Sequence, residues 1–178
     1  KDLIHSVDKN HWKSKQWLVD EFYKLYNHDN GSFYIGGGWY GLLSYLIRNA
    51  WPNESLNITS GDIDSRCEEF GWKLFHKSDI NFVTEDMVSS DLTEYSAIIS
   101  TSCEHIEPQV LKKFIKSKDD NAWVVLQSNN FYELDSHINC FPNEKAFANW
   151  VKPFLDEKIY YSGTLNLGDF DRFMVIGK

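Results

Sequence analysis

Three glycines near the start of the chain have the spacing of a nucleotide-binding turn. Gly36, Gly38 and Gly41 form the pattern G-x-G-x-x-G, and Gly37 lies between the first two. Glycines between a strand and a helix leave unpaired backbone N–H groups at the helix start and let a ligand approach the main chain closely. The pattern therefore predicts a binding edge of nucleotide size, with a plain tight turn as the alternative interpretation.

The residues on either side of the glycines support the first interpretation. Residues 33–35 are β-formers, and residues 42–47 carry apolar side chains at the spacing of one helix face. Four further short strands are predicted downstream, at 56–61, 80–83, 97–100 and 123–126. Helices are expected over 66–75, where Ser65 and Glu68 resemble a capping box, and over 108–115.

Polar residues follow each of these strands. In chain order they are Asp62 and Asp64, Asp86, residues 102–105, and Asn129 and Asn130. Alternating strands and helices predict a parallel sheet, and ligands bind such sheets beyond the carboxyl ends of the strands. We therefore expect these polar residues to converge on one site.

The two ends of the chain have different patterns. Aromatic and aliphatic residues recur at helical spacing over 8–27, within an N-terminal helical segment predicted at 1–30. Near the other end, a helix over 143–154 precedes strands at 159–165 and 172–176. The link between those strands is so short that they must pair antiparallel. No repeat or second domain is evident, so residues 1–178 are predicted to form a single domain.

Composition excludes several classes of protein. The 178 residues carry a net charge of −8, which counts against broad binding to nucleic-acid phosphates. No apolar run is long enough to cross a membrane, and residues 1–5 lack the apolar core of a signal peptide. The cysteines, Cys67, Cys103 and Cys140, contain no C-x-x-C pair, so no disulfide framework or metal site is predicted. We expect a cytoplasmic protein with reduced thiols.

The order of these features resembles that of the class I S-adenosylmethionine-dependent methyltransferases, from about Phe33 to the C-terminus. The likeness rests on the glycine turn, the acids after the second and third strands, Glu104-His105 after the fourth, and the terminal hairpin. It implies an α/β, Rossmann-like three-layer sandwich. The mostly parallel seven-stranded sheet would have the order 3-2-1-4-5-7-6, with strand seven antiparallel.

The resemblance also implies S-adenosylmethionine as cofactor and assigns residues to it. Asp62 would accept hydrogen bonds from both ribose hydroxyls, with Asp64 as the competing candidate. Asp86 would bind the adenine amine, and Met87 would contact the adenine ring. The other implied cofactor-binding residues are Gly36, Gly37 and Gly38 at the methionine end, Ile63 beside Asp62, and Ser102.

Two features depart from the family pattern. Tyr34 stands where an acid is frequent, and Trp39 and Tyr40 are bulkier than the usual residues of the turn.

Glu104 and His105 are the candidate catalytic residues. A histidine here could take a proton from a substrate hydroxyl or amine, although a structural loop pair is an equal interpretation. His137 is interpreted as a surface loop histidine, and Cys103 is not interpreted as a nucleophile.

Three functions are compatible with these residues. The first is methyl transfer to an oxygen or nitrogen of a small molecule. A small substrate is favoured because the fourth strand lacks the Asn/Asp-Pro-Pro-Tyr/Phe turn of DNA amino-methylating enzymes. The second is S-adenosylmethionine binding without methyl transfer, as a sensor, partner subunit or other user of the cofactor. The third is an NAD-dependent oxidoreductase, against which the terminal hairpin and Asp86-Met87 count.

Overall fold

The computed structural model describes residues 8–28, 30–53, 55–156 and 158–178, in which strands alternate with helices. The strands are β1 (Gly31–Gly36), β2 (Leu56–Asp62), β3 (Asn81–Thr84), β4 (Ala97–Ser100), β5 (Trp123–Asn129), β6 (Ile159–Asn166) and β7 (Asp171–Gly177). The helices are α1 (Lys9–Leu25), α2 (Leu42–Ala50), α3 (Ser65–Phe75), α4 (Pro108–Lys116) and α5 (Glu144–Val151). Single 3₁₀ turns span Cys103–His105 and Lys152–Phe154. The start of the predicted N-terminal segment, including residues 1–5, lies outside the described residues.

One seven-stranded sheet has the order β3-β2-β1-β4-β5-β7-β6. The first five strands pair in parallel, while β7 runs antiparallel to both β5 and β6. This topology confirms the predicted fold class, including the antiparallel seventh strand.

The sheet is buried on both faces, and alternate residues of each central strand pack on opposite sides. In β1, Phe33 and Ile35 face the layer that contains α1 and α2, whereas Tyr34 faces the layer that contains α4 and α5. This alternation follows from the two-residue period of a strand. It explains why residues 33–35 of β1 and 97–99 of β4 are apolar or aromatic, since these parts of the strands are buried on both faces.

Helix α1 crosses the first of these layers and begins beside the carboxyl edge of the sheet. Its first turn is capped by Asp8, whose Oδ1 accepts the N–H groups of Asn10 and His11 at 2.9 Å. Farther along, Phe22 packs on Phe33 and Trp51 with ring centroids 5.5 and 5.8 Å apart. Burial of these large rings is the main force that holds α1 against the sheet.

Three of the predicted boundaries that differ from the structure have a clear physical cause. Asp64, not Ser65, caps α3, because its carboxylate accepts the N–H of Arg66 at 3.0 Å. Strand β5 extends to Asn129 rather than stopping at 126, because β7 supplies pairing partners for its last residues. Helix α5 ends at Val151, and a 3₁₀ turn that contains Pro153 follows it.

No helix within the described ranges combines the length and the apolar character that crossing a bilayer requires.

The glycine that opens α2 provides a test of this packing. Gly41 has φ +88°, and a Cβ there would lie 2.5 Å from the ring of Phe82. Gly168, in the β6–β7 link, has φ +98°, but a Cβ there would meet no atom within 4 Å. We expect Gly41→Ala to lower the unfolding free energy by about 2–5 kcal/mol, because it adds overpacking to backbone strain.

The matched variant Gly168→Ala should lower the unfolding free energy by only about 1–2 kcal/mol, since it adds backbone strain without overpacking. Urea unfolding of both variants measures the difference. Equal losses would show that the Phe82 contact does not constrain the turn.

Candidate functional site

A cavity of about 840 Å³ lies at the carboxyl edge of the parallel strands. It collects predicted strand-end residues from five different strands. Those that line it are Gly37, Gly38, Asp62, Ile63, Asp86, Met87, Ser102, Glu104, His105 and Asn129, whereas Asp64, Cys103 and Asn130 do not. Gly36 does not line it, because Gly36 ends β1 within the core and a Cβ there would lie 2.8 Å from Met87 Sδ. A more open groove of about 690 Å³, along the outer face of α1, is separate from the strand ends.

The glycine turn forms the inner wall of the cavity. The Gly38 N–H donates to the Gly61 carbonyl at 3.0 Å, which joins the turn to the end of β2. A Cβ at Gly38 would lie 2.2 Å from Ser60 Oγ, so a larger residue here would require the Ser60 side chain to rotate away. The close contact favours the second glycine of the pattern independently of any ligand.

Asp62 and Asp64, which the sequence leaves as alternatives, have different environments. Asp62 Oδ2 accepts the Trp39 N–H and its Oδ1 accepts the Asp64 N–H, both at 3.0 Å. The Asp64 carboxylate caps α3 and pairs with the guanidinium of Arg66, and this pairing lowers the pKa of Asp64. Of these two acids only Asp62 lines the cavity, so Asp62 rather than Asp64 is available to a ligand there.

The end of β3 supplies one polar and one apolar side chain. Asp86 is exposed, and its Oδ1 accepts the Val88 N–H at 3.1 Å. Met87 is 8% exposed and lies against Gly36 at the base of the cavity. Across the cavity, Ile63 is 77% exposed, which is unusual for an isoleucine.

The 3₁₀ turn after β4 carries a buried ion pair. Glu104 is 4% exposed, and its Oε1 lies 2.6 Å from Nη1 of Arg172, which is 6% exposed. The guanidinium also donates through Nη2 to the Thr101 carbonyl. Cys103, in the same turn, is fully buried and donates to the Ser100 carbonyl at 3.7 Å. Burial raises the pKa of this thiol, which is consistent with the expectation that Cys103 is not a nucleophile.

His105 meets a second histidine. The His105 and His137 rings lie 4.5 Å apart between centroids in a T-shaped arrangement. Both line the cavity, so His137, which the sequence favours as a surface loop histidine, also lies at the site. The loop between β5 and α5 folds back over the strand ends and brings His137 there. The sequence around His137 carries no sign of this contact.

The start of α1 covers the cavity with three polar side chains, Asp8, His11 and Lys15. Their spacing of three and four residues places them on one helix face. Lys15 is 7% exposed, and its ammonium donates to Thr101 Oγ1 at 3.3 Å. Burial and the charge of Arg172 lower the pKa of Lys15 to about 7. Asp8, His11 and Lys15 form a roof over the cavity. In the sequence, this roof is indicated by polar residues on a helix face that is otherwise apolar.

Lys15 gives a prediction for the dependence of stability on pH. In the unfolded chain its pKa returns to 10.5, so between about pH 7 and 10 the unfolded state binds more protons than the folded state. Stability should therefore rise with pH across this range by up to about 1 kcal/mol per unit, and Lys15→Met should lack this contribution.

Urea unfolding of the wild type and Lys15→Met at about pH 7, 8 and 9 measures the effect. We expect the variant to be more stable at pH 7 and its advantage to shrink as pH rises. A difference that stays constant with pH would show that Lys15 is charged in the folded protein.

No protein-family model matches this chain, and no curated protein matches its sequence. Solved structures do match its fold. The magnesium protoporphyrin IX methyltransferase of Synechocystis PCC 6803, solved with bound S-adenosylhomocysteine, aligns with a TM-score of 0.72 at 12% identity. The alignment covers 94% of this chain and 82% of that one.

Two further methyltransferases match over nearly the whole chain. The 1,6-didemethyltoxoflavin-N1-methyltransferase of Burkholderia thailandensis aligns with a TM-score of 0.73 at 8% identity, over 98% of this chain and 81% of that one. An S-adenosylmethionine-dependent methyltransferase from Clostridium acetobutylicum aligns with a TM-score of 0.69 at 12% identity, over 99% and 94%. Together with the strand order, these matches show that the chain has the Rossmann-like fold of the class I S-adenosylmethionine-dependent methyltransferases.

Proposed function

We propose that this chain binds S-adenosylmethionine and transfers its methyl group to an oxygen or nitrogen nucleophile of a small molecule. The observation that carries the proposal is the cavity at the carboxyl edge, which is lined by the residues that the family resemblance assigns to the cofactor, except for Gly36. Structures with the same fold bind the same cofactor or its product, as the Synechocystis and Burkholderia enzymes do.

The hydrogen bonding of Asp62 is compatible with a ribose ligand. A carboxylate offers about four acceptor positions, and the backbone N–H groups of Trp39 and Asp64 use two of them. The remaining positions would accept both ribose hydroxyls, while the two backbone contacts hold the carboxylate in place. Asp62 would therefore bind the ligand without moving.

The apolar residues near Asp62 suit a flat aromatic ring. Ile63 exposes its side chain to the cavity, and Met87 presents a polarizable thioether from the end of β3. An adenine ring between them would bury apolar surface on both faces, and the Asp86 carboxylate would accept from its amine. This arrangement would also bury the exposed side chain of Ile63 against the ring.

The bound sulfonium would supply an already activated methyl group. The chain would then need to align the acceptor, exclude water and accommodate the proton that the acceptor loses. The roof formed by Asp8, His11 and Lys15 would limit the access of water. Glu104 and His105, beyond the end of β4, would face the acceptor.

The first test compares two ligands by calorimetry. S-adenosylhomocysteine should bind the purified protein in a one-to-one ratio, and NAD should not, because Asp86 and Met87 fit adenine without providing for a second nucleotide. Tight NAD binding with no heat from S-adenosylhomocysteine would overturn the cofactor assignment. Methyl transfer itself is tested by following the label of methyl-labelled S-adenosylmethionine into a panel of small phenols, carboxylates and amines.

The second test uses the two neighbouring acids as a matched pair. Asp62→Ala should weaken S-adenosylhomocysteine binding by about 1.5–3 kcal/mol, roughly 10- to 100-fold, because the ribose hydroxyls lose a charged acceptor. Asp64→Ala should leave the affinity nearly unchanged, since Asp64 lies outside the cavity lining.

Because Asp62 also holds the Trp39 N–H, thermal unfolding of both variants is the control for loss of structure. An unchanged affinity in folded Asp62→Ala would remove Asp62 from the proposed cofactor site.

A further inference from the structure

Three potential metal ligands converge at the rim of the cavity. Glu104 and His105 come from the turn after β4, and His137 comes from the loop between β5 and α5. One ligand atom from each residue lies within 4.8 Å of the others. His137 is distant in sequence from Glu104 and His105, so only the fold brings it beside them.

Both histidines are already oriented by hydrogen bonds. His105 Nδ1 lies 3.1 Å from the Ser136 carbonyl oxygen, and His137 Nδ1 lies 2.5 Å from the Phe131 carbonyl oxygen. A carbonyl oxygen can only accept, so each Nδ1 carries the proton and each Nε2 of a neutral ring keeps its lone pair. Metal-binding histidines are held in this way by a backbone carbonyl or a carboxylate.

The two carboxylate oxygens of Glu104 also differ, because one is held by a partner and the other is not. Its Oε1 accepts from Arg172 at 2.6 Å, while its Oε2 is buried and has no hydrogen-bond partner among the described residues. A buried carboxylate oxygen without a partner is unfavourable. A cation bound to Oε2 would remove this cost, with Arg172 acting as the support that fixes the carboxylate.

The donor set indicates the class of cation. Mg²⁺ and Ca²⁺ require several oxygen ligands, and here the charge of the one carboxylate is offset by Arg172. Two imidazoles and one carboxylate suit borderline transition metals such as Fe²⁺, Co²⁺ and Zn²⁺, and three protein ligands leave coordination positions open.

We propose that Glu104 Oε2 and the Nε2 atoms of His105 and His137 bind one divalent transition-metal ion, whose open positions face the cavity. Metal–ligand distances near 2 Å require the three side chains to close slightly around the ion. His105 is exposed and His137 is half-buried, so neither side chain is enclosed by packing that would prevent this small adjustment while its Nδ1 hydrogen bond is kept.

Metal binding does not depend on methyl transfer, but the role of the metal rests on the proposed function. A hydroxyl oxygen of the methyl acceptor would occupy an open position, where the ion would lower its pKa so that its proton passes to water. The resulting oxyanion would form a bond to the methyl carbon as the carbon–sulfur bond breaks and S-adenosylhomocysteine leaves. In this arrangement Glu104 and His105 act on the acceptor through the metal rather than as a base.

The test measures metal binding by the tag-free, metal-stripped protein in the absence of cofactor. Zn²⁺ calorimetry and the visible absorption of added Co²⁺ should both show one equivalent bound. His105→Gln and His137→Gln should each weaken binding at least tenfold, because each removes one of three protein ligands. His76→Gln is the matched control, since His76 is exposed at the end of α3 and does not line the cavity.

Glutamine substitutions at the two histidines are preferable to Glu104→Gln, which would leave Arg172 buried without its carboxylate. Circular dichroism verifies that each variant is folded. Absence of one-equivalent binding, or affinities for His105→Gln and His137→Gln equal to that of His76→Gln, would overturn the proposal. S-adenosylhomocysteine binding is measured separately on the metal-free protein, so its retention would leave the proposed function standing when the metal site fails.

Discussion

The buried ion pair between Arg172 and Glu104 determines the arrangement of the cavity wall that follows β4. It joins β7 to the turn after β4, although β5 lies between these two strands in the sheet. A buried pair of this kind adds little net stability compared with apolar residues, but removal of one partner costs about 3–5 kcal/mol. Its effect is therefore on geometry, since Thr101 and Glu104 are held at positions that the strands alone would not determine.

The antiparallel seventh strand makes this ion pair possible. Because β7 runs antiparallel to β5, its first residues lie at the carboxyl edge, where the parallel strands end. Arg172 pairs with Asn129 in register and lies on the same face of β7 as Met174 and Ile176, which pack in the layer that contains α1. The same layer holds α1 through Gln127, whose side-chain amide donates to the Ser14 carbonyl at 3.0 Å. The terminal hairpin thus helps to build the site as well as to extend the sheet.

The sequence predicts most of the elements and the strand-end residues, but not the contacts that organise them. Strands and helices follow from local periodicity, and the convergence of Asp62, Asp86 and Ser102 follows from parallel pairing. Arg172 and Glu104 are 68 residues apart, and His105 contacts a carbonyl 31 residues away. No local pattern specifies which distant group satisfies a buried charge, so these partners could not be predicted.

The departures from the family pattern also acquire a physical explanation. Tyr34 is fully buried and packs on Tyr95 with ring centroids 5.3 Å apart, so the position that is frequently acidic belongs here to the core. Trp39 has φ +50°, and its ring lies 5.4 Å from His11 in α1. The bulky residue of the turn therefore extends the contact between the glycine turn and the roof of the cavity.

Several groups in the cavity oppose folding, and they lie together. Lys15 is buried with a pKa near 7, and Glu104 Oε2 and Arg172 Nε have no hydrogen-bond partners among the described residues. Each buried polar atom left unpaired costs about 1–3 kcal/mol, a cost that an apolar side chain would avoid. Groups that reduce stability in this way concentrate at functional sites. Lys15 and Arg172 both donate to Thr101, and Glu104 pairs with Arg172, so all three groups meet at the segment that follows β4. The residues on that side of the cavity are therefore not explained by stability alone.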